Sequence, residues 1–345
     1  MNPRPGGRRL KTRAAVAAAA LSGWLAVAGP VAGHGPAPAE PPSLGGLVVG
    51  WSFEPFVVLP LIGTAAAWLW AVRRVDRAHL ANRVPRRRTV AFLAGLATIA
   101  IALLSGIERY DTTLFSIHMV QHVLLTLVAA PLIALGGPIT LMLRVASART
   151  RRNLLLPILH SRVVRGLSFP VIAGVVFAAV MWASHFSPLF DAALEDALVH
   201  NVEHGLFLGS ALLFWWPAVG LDPSPWRLSH PARIAYVFLQ MPQNTFLAVV
   251  ILNAAAPLYP HYASLDLPWG TTALADQQLA GGIMWLAGDM LFIAAIAAIL
   301  LGWMRREERD SAVSDRRADR ERDALRAREA IHAERLAADR ERPGR

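Results

Sequence analysis

The chain has 345 residues, of which 54% are apolar and 17% charged, and its mean hydropathy is +0.40, a composition too oily for a water-soluble domain of this length. Its 34 Lys and Arg against 24 Asp and Glu leave a net charge of +10, and it has no cysteine. Disulfides, thiolate zinc sites, iron–sulfur clusters and thiolate copper carriers are therefore excluded, and any metal must be held by His, Met or oxygen.

At the N-terminus, Arg4, Arg8, Arg9, Lys11 and Arg13 precede an Ala-rich stretch, and Ala26–Ala28 and Val31–Gly33 offer small-residue cleavage sites. Residues 1–33 read as a signal peptide, the alternative being an uncleaved extra span over Ala14–Ala32. Seven runs then reach the about 20 apolar residues needed to cross a hydrocarbon layer. They lie near Leu47–Val72, Thr89–Ile107, Phe115–Gly136, Leu167–Phe186, Ala197–Gly220, Ala232–Ala254 and Leu279–Met304. The predicted fold class is all-α: a polytopic membrane helix bundle with seven transmembrane helices over residues 45–304, or eight if the leader is retained.

Basic residues mark one side of this bundle. Arg73, Arg74, Arg77, Arg83 and Arg86–Arg88 follow the first run, Arg144, Arg149, Arg151, Arg152, Arg162 and Arg165 follow the third, and Arg227 and Arg233 follow the fifth. The opposite loops hold Arg109 as their one basic residue, beside Asp191, Glu195, Asp196, Asp266 and Asp276. The positive-inside rule makes the arginine side cytoplasmic, which puts the mature N-terminus outside and the C-terminus inside. The tail, 305–345, mixes 13 basic with 11 acidic residues and reads as a solvated cytoplasmic helix. With the other arginines serving as topology determinants, and no phosphate-binding glycine loop, no nucleic-acid or nucleotide partner is expected.

Ionisable side chains inside spans are costly and mark functional candidates. The third run contains His118-Met119-Val120-Gln121-His122 and the fifth His200-Asn201-Val202-Glu203-His204. Residues four apart share a helix face, so each motif aims two imidazoles one way. Both runs enter from outside, and His122 and His204 each fall about seven residues in, roughly 10 Å deep. If the two helices are neighbours, the four rings converge at one level. The candidate metal ligands are thus His118, His122, His200 and His204, with His185 at the outer end of the fourth run as the best addition. Gln121 and Glu203 sit one turn from His118 and His200, placed to orient a ring or complete the coordination. Met119 and Met284 lie near the same face, where thioethers suit Cu(I) but apolar packing is the commoner role. His261 reads as an exposed loop residue. Gln240-Met241-Pro242-Gln243-Asn244 reads as a kink, and Asp289 as a carboxyl group paired or protonated in mid-span.

These motifs, with Gly136-Gly137-Pro138, Phe214-Trp215-Trp216-Pro217, Met241-Pro242-Gln243, Asp276-Gln277-Gln278 and Gly281-Gly282-Ile283-Met284-Trp285, resemble the CtaG family of cytochrome c oxidase assembly factors of caa-type oxidase systems. The resemblance covers about residues 45–304. It implies a plasma-membrane protein that supports maturation of a terminal oxidase through copper, with oxidase subunits and a copper donor protein as partners, and it does not fix a ligand set. No catalytic residue is expected for such a role. Two other chemistries fit the residues: an intramembrane zinc hydrolase using His200-x-x-Glu203-His204, and haem held by one His from each span.

Overall fold

The computed structural model describes residues 40–340 together with Pro38; the leader at 1–33 lies outside them. The chain is 79% helical without strands among the described residues, so the all-α fold holds. Six helices are long and apolar enough to cross a membrane, and a bent pair makes a seventh. The first to third spans are Pro55–Ala78, Arg86–Tyr110 and Phe115–Val145, and the fourth is Pro170–His185 with Leu189–Glu195, bent by 66°. The fifth and sixth are Ala197–Val219 and His230–Leu252, and the seventh starts at Ala273.

The first span starts later than the hydropathy suggests. Leu44–Val49 forms a separate short helix, Gly50–Glu54 is irregular, and Pro55 opens the span at its first turn, where its missing N–H costs nothing. The Ser52 N–H is held by the Leu104 carbonyl at 2.7 Å. The same helix runs on to Ala78, so Arg73, Arg74 and Arg77 belong to its last turns rather than to a loop. All three are exposed, and the Arg74 guanidinium lies over the Trp70 ring, 5.6 Å from its centroid.

Hydrogen bonds between loops define two ends. At the arginine end, Asp222 accepts from the Ile139 and Thr140 backbone N–H groups at 3.0 and 2.7 Å and so caps the helix Pro138–Val145. Arg233 donates to the Ala218 and Val219 carbonyls, the orphan acceptors at the foot of the fifth span. At the other end, Tyr262 bonds the Asp111 carbonyl, His261 the Thr112 carbonyl and Tyr259 the His185 carbonyl. Between the ends, large side chains such as Leu59, Ile62, Val171, Val175, Phe246 and Leu286 face outward, as expected where the solvent is lipid.

Two spans are locally irregular. The third passes from α-helix into a π-helical segment at Leu124–Ala129, directly after the histidine motif. Pro131 has no N–H for the Leu127 carbonyl four residues back, which favours the wider turn. Trp215 Nε1 donates to the Thr126 carbonyl in this segment at 2.9 Å. The sixth span breaks at Leu239, between helices His230–Phe238 and Gln240–Leu252, because Pro242 leaves the Phe238 carbonyl without a donor. The amides around Pro242 bond neighbouring spans: Gln240 to the Gly174 carbonyl and Asn244 to the Met284 carbonyl. Asp289 accepts from Thr245 Oγ1 at 2.8 Å, which gives this mid-span carboxyl group its polar neighbour.

The chain divides into two compact units, 1–294 and 295–345. In the second, helix extends to Arg340; Leu325 and Ile331 are exposed, and the ion pairs Arg306–Asp310, Asp319–Arg322 and Asp323–Arg326 lie on its surface. Such exposed pairs contribute little to stability.

Candidate metal centre

The histidine-bearing spans are positioned from their first turns. Asp276 accepts from the Ser116 backbone N–H at 3.3 Å and from the Ser116 hydroxyl, capping the head of the third span. Asp196 does the same for the fifth, accepting from the Leu198 and Val199 N–H groups at 2.8 and 3.0 Å. Replacing Asp276 with Ala is expected to destabilise the bundle by about 1–2 kcal/mol, because it orphans a buried N–H and hydroxyl. Thermal unfolding in detergent reads this directly, and Asp276→Asn should recover part of the loss.

The two motifs meet in parallel register. The His118 and His200 rings stack with centroids 5.4 Å apart, and His122 faces His204 at 6.1 Å. Within each helix the pairs His118–His122 and His200–His204 stand 4.2 Å apart. His185 comes in from the fourth span, its ring 6.2 Å from His122. All five are buried, none more than 5% exposed. The structure thus brings every sequence-predicted ligand into one cluster, including His185, which is not a solvated loop residue.

The glutamine and glutamate of the motifs work across the helix pair rather than along it. Gln121 on the third span accepts from His204 Nε2 at 2.9 Å and donates to Glu108 at 2.6 Å. Glu203 on the fifth approaches His118 Nε2 at 3.9 Å. A second carboxyl group comes from the turn before the third span, where Asp111 Oδ2 lies 3.6 Å from His200 Nε2. Burial, reinforced by the neighbouring Glu108, pushes the Asp111 carboxyl well above its ordinary range.

The polar atoms of this cluster are short of partners. Both ring nitrogens of His118 and His122, both Glu203 oxygens, Asp111 Oδ2 and His185 Nε2 are buried without a hydrogen bond. Each such group costs on the order of 1–3 kcal/mol when left unsatisfied, and buried polar atoms are ordinarily paired. Two sets bring one donor atom per residue within 4.8 Å of each other: Asp111, His118 and His200, and His118, His122 and Glu203. Imidazole nitrogen with carboxylate oxygen at this spacing is a donor set for a divalent or cuprous transition metal. His118 belongs to both sets. His204 belongs to neither, since Gln121 holds its Nε2. His185 donates from Nδ1 to the Met181 carbonyl at 2.7 Å, which leaves its Nε2 lone pair open beside His122.

An aromatic layer closes the cluster on its loop side. Phe115, Phe190 and Tyr259 pack with ring centroids 4.3 to 5.5 Å apart, and Phe190 touches the His118 ring at 5.0 Å. His261 is half-buried and bonds the Thr112 carbonyl at 2.8 Å, so it braces this layer rather than standing exposed. Gln277 also braces it, accepting from the Leu258 N–H at 2.7 Å.

Sequence reasoning passed over Asp111, Glu108 and Met181. The first two had a readable signal: Glu108-Arg109-Tyr110-Asp111 puts two acidic residues three apart, on one helix face, at the end of an apolar run. Met181 had none, because a methionine in an apolar span looks like packing.

The family model of the cytochrome c oxidase caa3 assembly factor matches residues 66–306. An uncharacterized protein of Mycobacterium bovis is 34% identical over 291 residues, covering 81% of the chain and 43% of that protein. An uncharacterized protein of Mycobacterium leprae is 32% identical over 287 residues, with the same coverage of 81% and 43%. The chain therefore spans less than half the length of these curated relatives. No solved structure matches it. The family match takes in the second to sixth spans, both histidine motifs, Asp111 and Asp276, and on that extent the chain belongs to the cytochrome c oxidase caa3 assembly factor family.

Proposed function

We propose that this chain is an integral membrane assembly factor for a bacterial cytochrome c oxidase, and that its cargo is copper, held and handed on by the His118, His122, His200, Glu203 and Asp111 cluster. The observation that carries the reading is the set of buried, unpaired atoms of His118, His122, Glu203 and Asp111, which a bound cation would satisfy at once. Imidazole suits both copper oxidation states. Two sets sharing His118 allow one ion to exchange partners stepwise without ever losing all its ligands, as delivery requires. Gln121 fixes the orientation of His204, and Glu108 fixes that of Gln121, so the ring beside His200 and facing His122 is held in place. No bond to a substrate is made or broken in this role.

The one-sided arginines support a cluster that lies toward the outer face, where a periplasmic copper donor would approach through the segments around Phe190 and Tyr259. Full-length protein purified in detergent is expected to bind copper stoichiometrically, without a Soret band. Cells lacking it should assemble oxidase depleted in copper. Oxidase with normal copper and activity in such cells would overturn the assembly role. Stoichiometric zinc together with a peptidase activity lost in Glu203→Gln would replace it with hydrolysis.

A further inference from the structure

Beneath the carboxylate-bearing sets lies a small cavity, about 20 Å³, room for a single water-sized guest. Three methionines and two histidines are among its lining, Met119 and His122 from the third span, Met181 and His185 from the fourth, and Met284 from the seventh, with Thr126, Asn244 and four apolar side chains completing it. The spacing explains the convergence. Met119 and His122 are three apart and Met181 and His185 four apart, so each pair shares a helix face. Met284 is positioned by Asn244, which donates to its carbonyl at 3.3 Å. All three methionines are at least nine-tenths buried, as are both histidines. Neither ring nitrogen of His122 has a hydrogen-bond partner, and His185 presents an unpaired Nε2.

A purely structural cavity would be lined by apolar groups alone and stay dry. This one pairs polarizable sulfur with orphaned imidazole nitrogen. We propose that it is a second, cuprous copper station, in which the thioethers of Met119, Met181 and Met284 and the imidazoles of His122 and His185 bind Cu(I). Thioether is the neutral soft donor that selects Cu(I) over harder cations, and imidazole accepts either copper state beside it. With no carboxyl group in the lining, a singly charged ion is also less costly to bury than a doubly charged one. His122 belongs both to this lining and to the set with His118 and Glu203, so it links the two stations. Donors change from carboxylate and imidazole to imidazole and thioether along this line. The inference rests on the copper reading above and adds the sulfur site and its preference for Cu(I).

The test uses full-length protein in detergent, without oxygen, titrated with Cu(I) against a chromophoric Cu(I) chelator and separately with Cu(II). X-ray absorption of the Cu(I)-loaded wild type should show sulfur scatterers beside nitrogen. The triple variant Met119→Leu/Met181→Leu/Met284→Leu, which conserves volume, should lose at least tenfold in Cu(I) affinity and keep its Cu(II) binding. Wild-type Cu(I) without sulfur neighbours would overturn the thioether station whatever the variant does, and so would unchanged Cu(I) affinity in the variant. Failure of the wild type to bind either copper state would overturn the copper reading itself, which separates the two failures.

Discussion

His118→Leu is expected to lower copper affinity by more than about 100-fold, since even residues that only orient a ligand are worth about 10–100-fold. His118 is the one residue present in both ligand sets, so its loss leaves each with two donors. Substitution of His200 or of Glu203 removes a member from one set only and should cost less. The same variant separates a metal role from a structural one. His118 is fully buried, with both ring nitrogens unpaired, so an apolar side chain of similar size removes an unsatisfied polar group and should leave the metal-free protein at least as stable. A structural histidine would behave the opposite way. Copper analysis of the purified variant and its thermal unfolding without metal together decide the matter; full copper content, or a large drop in metal-free stability, would remove His118 from the centre.

The second large effect concerns Gly281 on the seventh span. A Cβ there would stand 2.8 Å from the Leu252 backbone nitrogen and 3.0 Å from the Ala248 carbonyl oxygen. Those neighbours are backbone, so relief requires moving one helix relative to another. The adjacent Gly282 has open space around its own Cβ position. Gly281→Ala is expected to destabilise by about 1–3 kcal/mol, and Gly281→Leu by more, whereas Gly282→Ala should be neutral or gain up to about 1 kcal/mol from helix propensity. Unfolding in detergent for the three variants measures the contrast. Copper binding should fall with Gly281→Leu, because the displaced helix carries Asp276, which caps the third span, and Met284. Equal stability for Gly281→Ala and Gly282→Ala would mean that the close crossing of the sixth and seventh spans is not a constraint.

Much of this architecture was legible in residue order because a bilayer imposes a fixed length and a fixed chemistry on each span. The seven apolar runs, the one-sided arginines and the two histidine motifs all follow from that constraint. The four motif histidines converge because the third and fifth spans start at the same end, a consequence of counting spans, and His185 joins them because the helix Pro170–His185 finishes there. Orders of contact were harder to read. The i+3 spacing of Gln121 and Glu203 suggests that each serves a histidine on its own helix, yet each reaches the opposite one, a choice made by how the two helices face each other. The acidic pair Glu108 and Asp111 was readable, but the approach of Asp111 to His200 depends on a turn that Tyr262 holds by the Asp111 carbonyl, a tertiary contact that residue order does not give. The first span was displaced toward the C-terminus because hydropathy is continuous across Gly50–Glu54 while the backbone is not.

The widened turn at Leu124–Ala129 gives the third span a phase of its own. One residue is worth about 100° of rotation on an α-helix. Deleting a single residue from this segment would let it settle into ordinary α-helical winding, and the part toward His118 and the part toward Gly137 would then face different directions than they do now. Either the imidazoles would swing away from the fifth span or the half toward Gly137 would lose its seat against the second. The length of this stretch is therefore fixed by the need to aim both halves of one helix at once.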